Sequence, residues 1–280
     1  MDAEKIRLQT PEESTFSLFM EDFMQLTKVR LAVSVVFSSV ISYLIGMSEF
    51  NFEIFSYLVL GGLMMVSASN IFNQVIEKDL DAKMDRTKNR PLPSGRISIN
   101  SALILGFILT VIGLVVLYII NPKTAMFGAI SIFMYVSLYT PLKTLTPLSV
   151  FVGAFPGAIP FMLGWVAATG NFGIEAGTLF LIQFFWQFPH FWAIAWVSFD
   201  DYNAGGFSLL PSKTGKSKNS AFQIVAYSLA LIPFSLLPWM LDITGIFSFI
   251  IALILGLWFF FLSWRLFLTC DDKDARNLMF

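Results

Sequence analysis

Long apolar blocks constrain this chain more than any other feature. Eight of them approach or exceed the roughly 20 residues that a bilayer core demands of a helix. They are Leu31–Met47, Ile54–Ile76, Ser101–Ile120, Ala125–Leu142, Leu148–Thr169, Thr178–Phe199, Ala221–Leu241 and Phe247–Leu268. The first and fourth are short. With 56% of 280 residues hydrophobic and 13% charged, too few charges remain to cover a soluble surface. The expected fold is all-α: a polytopic membrane helical bundle of eight spans around a central cavity, one domain over residues 1–280.

Basic residues set the orientation, because they stay on the cytoplasmic side of short loops. If the spans alternate, every one of the 18 lysines and arginines except Lys123 falls on one side. That asymmetry supports the span count and a cytoplasmic N-terminus. Residues 1–28 read as a cytoplasmic tail with an interfacial helix. After a Ser14-Thr15 cap, Phe16, Phe19, Met20, Phe23 and Met24 recur at helical spacing. Met1–Gln25 lacks the apolar core and cleavage site of a secretory signal and is expected to stay in the mature protein. The lone Cys270 excludes an internal disulfide and any multi-cysteine zinc site. A net charge of −1 without a basic stripe excludes nucleic acid as a partner. Membrane lipid is the expected surround.

One apolar block turns abruptly into the densest charge in the chain. Asn73, Glu77, Asp81 and Asp85 fall four residues apart, a step that drifts about 40° per turn of helix, so they form a slowly winding acidic stripe. Asn70 lies a turn earlier on the same side, and Lys83, Arg86, Lys88 and Arg90 follow. The helix should end at Arg90-Pro91, since proline disfavours α conformation before it. Carboxylates in this pattern can hold Mg²⁺ through one or two oxygens, with substrate phosphates completing its shell. Arginines beside them can clamp phosphate oxygens bidentately. A solvated helix end is the plainer reading of any charge run, but the spacing and the asparagine within the apolar segment favour a site.

Span six is the other informative helix. Gln183, Gln187 and His190 stand at i, i+4 and i+7, and the same face continues through Ile194 and Val197 to Asp201. Two amides and an imidazole facing lipid would be costly, so the stripe should point into the bundle. Asp200 and Asp201 then lie at the end of span six equivalent to the end of span two that bears the first cluster, which suggests two four-helix halves facing one another. Span five carries Gly153, Pro156, Gly157, Pro160 and Gly164, which kink a helix or admit a close neighbour. Lys143, after span four, either donates to a phosphate or snorkels to the interface.

These residues also carry a resemblance. Asn73-xxx-Glu77-xxx-Asp81, followed by Met84, Arg86-Thr87, Arg90-Pro91-Leu92 and Ser94-Gly95, resembles the first acidic motif of the UbiA-type intramembrane prenyltransferases. That family usually writes Asn-xxx-Asp-xxx-Asp; Glu77 departs from it, and Asp79 could share its task. Trp186-Gln187-x-Pro189-His190, Asp200-Asp201-Tyr202, Gly205 and Leu209-Leu210-Pro211 resemble one branch of the family, the haem-farnesylating enzymes. The similarity runs from about Thr27 to the C-terminus.

The resemblance implies farnesyl diphosphate as donor, a vinyl group of protohaem IX as acceptor and Mg²⁺ as cofactor, with a downstream haem-modifying membrane enzyme as partner. Asn73, Glu77, Asp81 and Asp201 would be catalytic, and these four with Asp85 and Asp200 would hold metal. Arg86, Arg90 and Lys143 would bind diphosphate. His190 and Gln187 would meet the haem, His190 as an iron ligand or through a hydrogen bond to a propionate; a bond to a neighbouring helix is the plain alternative. The location would be a prokaryotic cytoplasmic (inner) membrane, with the site open to the cytoplasm. The family pattern has nine helices, and a last one would begin near Ala275–Phe280. Two other readings stand beside this one: a UbiA-type enzyme that prenylates a quinone precursor, and a secondary transporter, whose charges should lie at the bilayer midplane rather than at one interface.

Overall fold

The computed structural model describes residues 15–212 and 214–279. Lys5, Arg7, the Ser14 cap, the Phe16 side chain, Lys213 and Phe280 lie outside the described residues. Among those described, every regular element is helical. The order is α1 Thr15–Thr27, α2 Val29–Gly46, α3 Phe52–Ile76, α4 Lys78–Asp81, α5 Ile99–Ile120 and α6 Pro122–Phe133. A π-helical stretch, Met134–Tyr139, and α7 Thr140–Leu142 continue α6. Then come α8 Ser149–Thr169, α9 Ile174–Val197, α10 Phe199–Ala204, α11 Lys218–Met240, α12 Ile246–Thr269 and α13 Asp272–Met279.

The eight apolar blocks become α2, α3, α5, α6 with its continuation, α8, α9, α11 and α12. Seven of these are long and apolar enough to cross a membrane by length and composition. The eighth, α9, has Gln183, Gln187 and His190 along its 24 residues and packs against α8 and α11. Several starts are written in sequence. Asn51, Ser98, Asn121 and Ser217 each accept a backbone N–H from the first turn of the helix that follows. Pro122 takes the first helical position of α6, where its missing N–H costs nothing.

The spine of the bundle is α8. Its first half supplies Val150, Ala154 and Ala158 to a core shared with α9, α11, α12 and α13. Its second half supplies Ile159, Met162, Leu163 and Val166 to a core shared with α2, α3, α5 and α6. The two cores therefore do not follow the expected four-helix halves, since α8 is divided between them and α9 also enters the second core through Ala176. The α8 glycines serve close packing: a Cβ at Gly164 would run into the Ser39 carbonyl oxygen of α2, and one at Gly157 into the Gln187 amide of α9. Pro160 has no N–H for the Pro156 carbonyl, and the Ser131 hydroxyl donates to it instead at 3.3 Å. The outward faces of α5 and α12 expose Phe107, Tyr118, Phe247 and Trp258, a surface suited to lipid rather than water.

Two further expectations need correction. The helix bearing Asn73 does not run on to Arg90. It stops at Ile76, Glu77 turns out of it (φ −91°, ψ 5°), α4 adds one turn, and hydrogen-bonded turns carry the chain to Arg96. Met84 and Leu92 bury their side chains beneath this loop, and that burial outweighs the helical continuation. Asp85 therefore leaves the stripe. Secondly, α13 begins at Asp272, earlier than Ala275, and folds back onto α9. α1 forms as expected; Phe19, Met20 and Met24 face outward while Leu26 and Thr27 are buried.

Candidate functional site

The site grows from polar side chains on α3 that the apolar block cannot explain. Near the end of α3, the Asn70 amide donates to the Thr27 carbonyl at 3.1 Å, and the Gln74 amide to the Leu26 and Gln25 carbonyls at 2.6 and 3.3 Å. These carbonyls end α1 and would otherwise lack partners. The clamp fixes the next residue, Lys28, in left-handed conformation (φ 50°, ψ 52°). Its ammonium donates to Asn73 Oδ1 at 3.3 Å.

Asn73 is held on both sides. Its Nδ2 donates to Thr140 Oγ1 at 3.2 Å, and the Thr140 hydroxyl and N–H both go to the Tyr135 carbonyl, the hydroxyl at 2.8 Å. The N–H bond skips one residue more than an α-helix allows, so the π-helical turn sets Thr140 against Asn73. Pro141 follows and has no N–H to resume the ladder.

The carboxylates are paired. Lys143 Nζ donates to Glu77 Oε1 at 2.7 Å, and Arg90 Nη1 to Asp81 Oδ2 at 2.8 Å. Asn73, Glu77 and Asp81 are 1%, 5% and 1% exposed; carboxylates so buried persist because each meets a charged donor. The Thr87 hydroxyl donates to the Asp81 carbonyl at 2.8 Å and ties the loop down. Burial pulls the Lys143 ammonium down, but the Glu77 carboxylate, with Tyr135 and Tyr202 beside it, more than offsets that, and the group sits above its ordinary value. Lys28 goes the other way. Burial, with Arg90 and Lys143 nearby, lowers it to about 7 against the pull of Glu77 and Asp81.

The second motif meets the first loop from the side. The Asp85 N–H donates to Asp201 Oδ1 at 2.9 Å, and Arg86 Nε lies 3.6 Å from Asp201 Oδ2, with its guanidinium 5.3 Å from the Tyr202 ring. Asp201 Oδ2 is buried without a hydrogen bond. Behind it, the Ser208 N–H donates to the Lys143 carbonyl at 2.9 Å, and Lys143 Nζ lies 4.6 and 5.7 Å from the Tyr139 and Phe207 rings.

The structure thus gathers Asn73, Glu77, Asp81, Arg90 and Lys143 into one cluster, with Arg86 and Asp201 beside it. It does not place the Asp85 carboxylate there: that side chain is 91% exposed and pairs with Lys88 at 2.6 Å. Asp200 is exposed at the start of α10. Among the described residues, no hydrogen bond or ion pair links Gln187 or His190 to the cluster. Gln187 donates to the Ala154 and Gln183 carbonyls, which joins α9 to α8. His190 stacks on Trp186 at 4.5 Å and hydrogen-bonds the Met279 backbone, leaving Nδ1 buried and without a partner. Sequence reasoning gave no site role to Lys28 or Thr140, and quoted Tyr202 only within the second motif. A lysine just before the first span was a usable signal.

Comparison with known proteins matches residues 34–280 to the UbiA prenyltransferase family. The chain belongs to that family. A protoheme IX farnesyltransferase of Flavobacterium psychrophilum is 60% identical over 92% of this chain and 88% of the relative. One from Christiangramia forsetii is 58% identical over 98% of this chain and 91% of the relative. Among solved structures, a digeranylgeranylglyceryl phosphate synthase superposes with a TM-score of 0.78 at 21% identity, covering 93% of this chain and 91% of its own. A UbiA homolog from Archaeoglobus fulgidus, solved with GPP and Mg²⁺, gives 0.75 at 14% identity, over 92% and 99%. The UbiA fold and an integral membrane prenyltransferase follow.

A divalent metal suits this UbiA cluster. No three histidine, cysteine or carboxylate side chains among the described residues converge into a self-sufficient cage. Mg²⁺ does not require one, since it keeps waters and takes one or two carboxylates plus phosphate oxygens. Glu77, Asp81 and the Asn73 amide offer hard oxygen donors, and Asp201 Oδ2 is a buried oxygen still lacking a hydrogen bond.

Proposed function

We infer that this protein transfers the farnesyl group of farnesyl diphosphate to a vinyl group of protohaem IX, giving the hydroxyethylfarnesyl haem and diphosphate. The observation that carries the reading is identity of 58–60% to protoheme IX farnesyltransferases across nearly the whole chain, on a bundle whose buried charge gathers at one end. In this reading the diphosphate sits between the end of α3 and the end of α9. Mg²⁺ held by Asn73, Glu77 and Asp81 on one side and Asp201 on the other would neutralise the charge that develops on the leaving group. Arg90, Arg86 and Lys143 donate to phosphate oxygens. As the allylic C–O bond breaks, the Tyr139 and Phe207 faces beside Lys143 lie where cationic charge develops. The vinyl terminus bonds the farnesyl carbon, and the resulting cation takes the oxygen of a water, which loses a proton.

The haem lies deeper, toward His190, whose Nδ1 has no protein partner. Asp200 is an outer group that steers metal in this reading, and Asp85, paired with Lys88 in solvent, takes no part. The membrane is the inner membrane of a prokaryote, with the N-terminus and the site on the cytoplasmic side. The product passes to a haem-modifying membrane enzyme.

The test is to incubate purified protein in nanodiscs with farnesyl diphosphate, protohaem and Mg²⁺ and weigh the products. A haem heavier by a farnesyl group plus a hydroxyl group is expected. Transfer to a quinone precursor with none to haem overturns the acceptor. Full turnover in excess chelator overturns the metal.

A further inference from the structure

Lys28 is the cation that the pairing of the site leaves over. Glu77 is taken by Lys143 and Asp81 by Arg90, Asp201 is approached by Arg86, and Lys28 donates only to the neutral Asn73 Oδ1 among the described residues. A half-buried ammonium without a counter-ion is costly. It is not stranded there by an accident of packing, because three separate features hold it.

The first is the backbone. Lys28 is one of three described non-glycine residues with positive φ, a conformation that disfavours a side chain with a Cβ. The second is the clamp from α3, in which Asn70 and Gln74 spend their amides on the three carbonyls immediately before Lys28. Polar side chains in a membrane helix are expensive, and here both serve to fix the α1–α2 junction. The third is Asn73 itself, oriented by Thr140 so that its oxygen meets the ammonium. Sequence alone counts Lys28 only as a marker of membrane orientation; the structure instead folds it inward onto the residue that begins the acidic motif.

We propose that Lys28 is a phosphate-binding residue, whose ammonium takes an oxygen of the diphosphate received by the Glu77–Asp81 cluster. This rests on the prenyl-transfer reading given above and adds a third cation, supplied from outside both acidic motifs. The bound anion provides the direct counter-ion that Glu77 and Asp81, taken by Lys143 and Arg90, do not. Because Lys28 closes the cluster from the α1 side, the site is complete only when the N-terminal helix is docked on α3. The residue distinguishes donor from acceptor, since it faces phosphate and not haem.

The test measures binding rather than turnover. Wild-type protein and Lys28→Gln, Lys28→Gly and Lys28→Arg are titrated, in nanodiscs with Mg²⁺, with inorganic pyrophosphate and with farnesyl thiodiphosphate as an unreactive donor. Removing the ammonium is expected to weaken both ligands by about tenfold to a hundredfold, the range of one charge-assisted hydrogen bond. Lys28→Arg should recover most of the loss, and protohaem affinity should not change in any variant. Lys28→Gly separates binding from folding: glycine accepts φ 50° freely, so this variant should melt no lower than wild type and still lose affinity. If Lys28→Gly binds the thiodiphosphate within twofold of wild type, the proposal is wrong. If its haem affinity and melting temperature fall together with donor affinity, Lys28 is structural and the proposal is equally wrong. Failure of the wild type to bind either phosphate ligand would instead remove the prenyl-transfer reading on which it rests.

Discussion

The two acidic motifs end helices at the same side of the bundle, yet they are built in opposite ways. At the end of α3, Glu77 and Asp81 are almost fully buried, each gripped by a cation at 2.7 or 2.8 Å, with Asn73 braced by Lys28 and Thr140. At the end of α9, Asp200 is exposed, and Asp201 is held by one backbone N–H and a guanidinium 3.6 Å away. The first motif is organised before any ligand arrives. The second is the adjustable wall, free to follow a metal or a phosphate. Stability and catalysis should therefore be coupled at the first motif and separable at the second.

Asp81→Asn gives the largest expected effect. Loss of a charge aimed at the leaving group should lower kcat/KM by about 10²–10³-fold, and Arg90 loses its anion. Breaking a fully buried pair costs about 3–5 kcal/mol; Arg90 retains 24% exposure, so about 2 kcal/mol is expected, seen as a lower melting temperature. Asp201→Asn should cut turnover by a comparable factor, about 10²-fold, with no change in melting temperature. A melting shift as large as that of Asp81→Asn would erase the contrast. Arg86→Lys sharpens it further: the planar fork is lost but the charge kept, so the farnesyl diphosphate KM should rise about tenfold while the protohaem KM stays put in steady-state assays. Glu77→Asp should cost no more than about threefold in turnover, because the shorter carboxylate still provides a hard ligand, although Lys143 must follow it inward. Asp85→Ala should leave rate and melting temperature unaltered, since its carboxylate meets only solvent and Lys88; a marked loss of activity there would restore it to the metal site.

Much of this was legible in the sequence, for identifiable reasons. Apolar block length determines helix number, so eight long helices follow from composition and caps alone. The Asn73–Glu77–Asp81 spacing survives because α3 and the single turn of α4 nearly continue one another. Asp85 was misplaced because local periodicity carries no information about Met84 and Leu92, which bury beneath the loop and bend it off axis. The inward stripe of α9 divides for a similar reason. Gln187 donates to the Ala154 carbonyl of α8 and to a carbonyl of its own helix, and His190 reaches the backbone of α13; the contact to α8 spans more than thirty positions of sequence and the one to α13 most of the C-terminal half. The π-helical turn that sets Thr140 against Asn73 has no periodic signature either; only Pro141 hints at it.

The shared spine has a consequence for how the protein comes into being. As ribosome and translocon release the chain from its N-terminus, α2, α3, α5 and α6 enter the membrane with their common core unfilled, since Ile159, Met162, Leu163 and Val166 arrive only with α8. When α8 does insert, its other half presents Val150, Ala154 and Ala158 to helices that have yet to be synthesised. Neither half can be finished by itself, and Asn73 gains Thr140 only after α6 has entered. The order of synthesis therefore leaves both cores incomplete until α8 is in place, and the core around Val150, Ala154 and Ala158 incomplete until the last helices, α12 and α13, have followed.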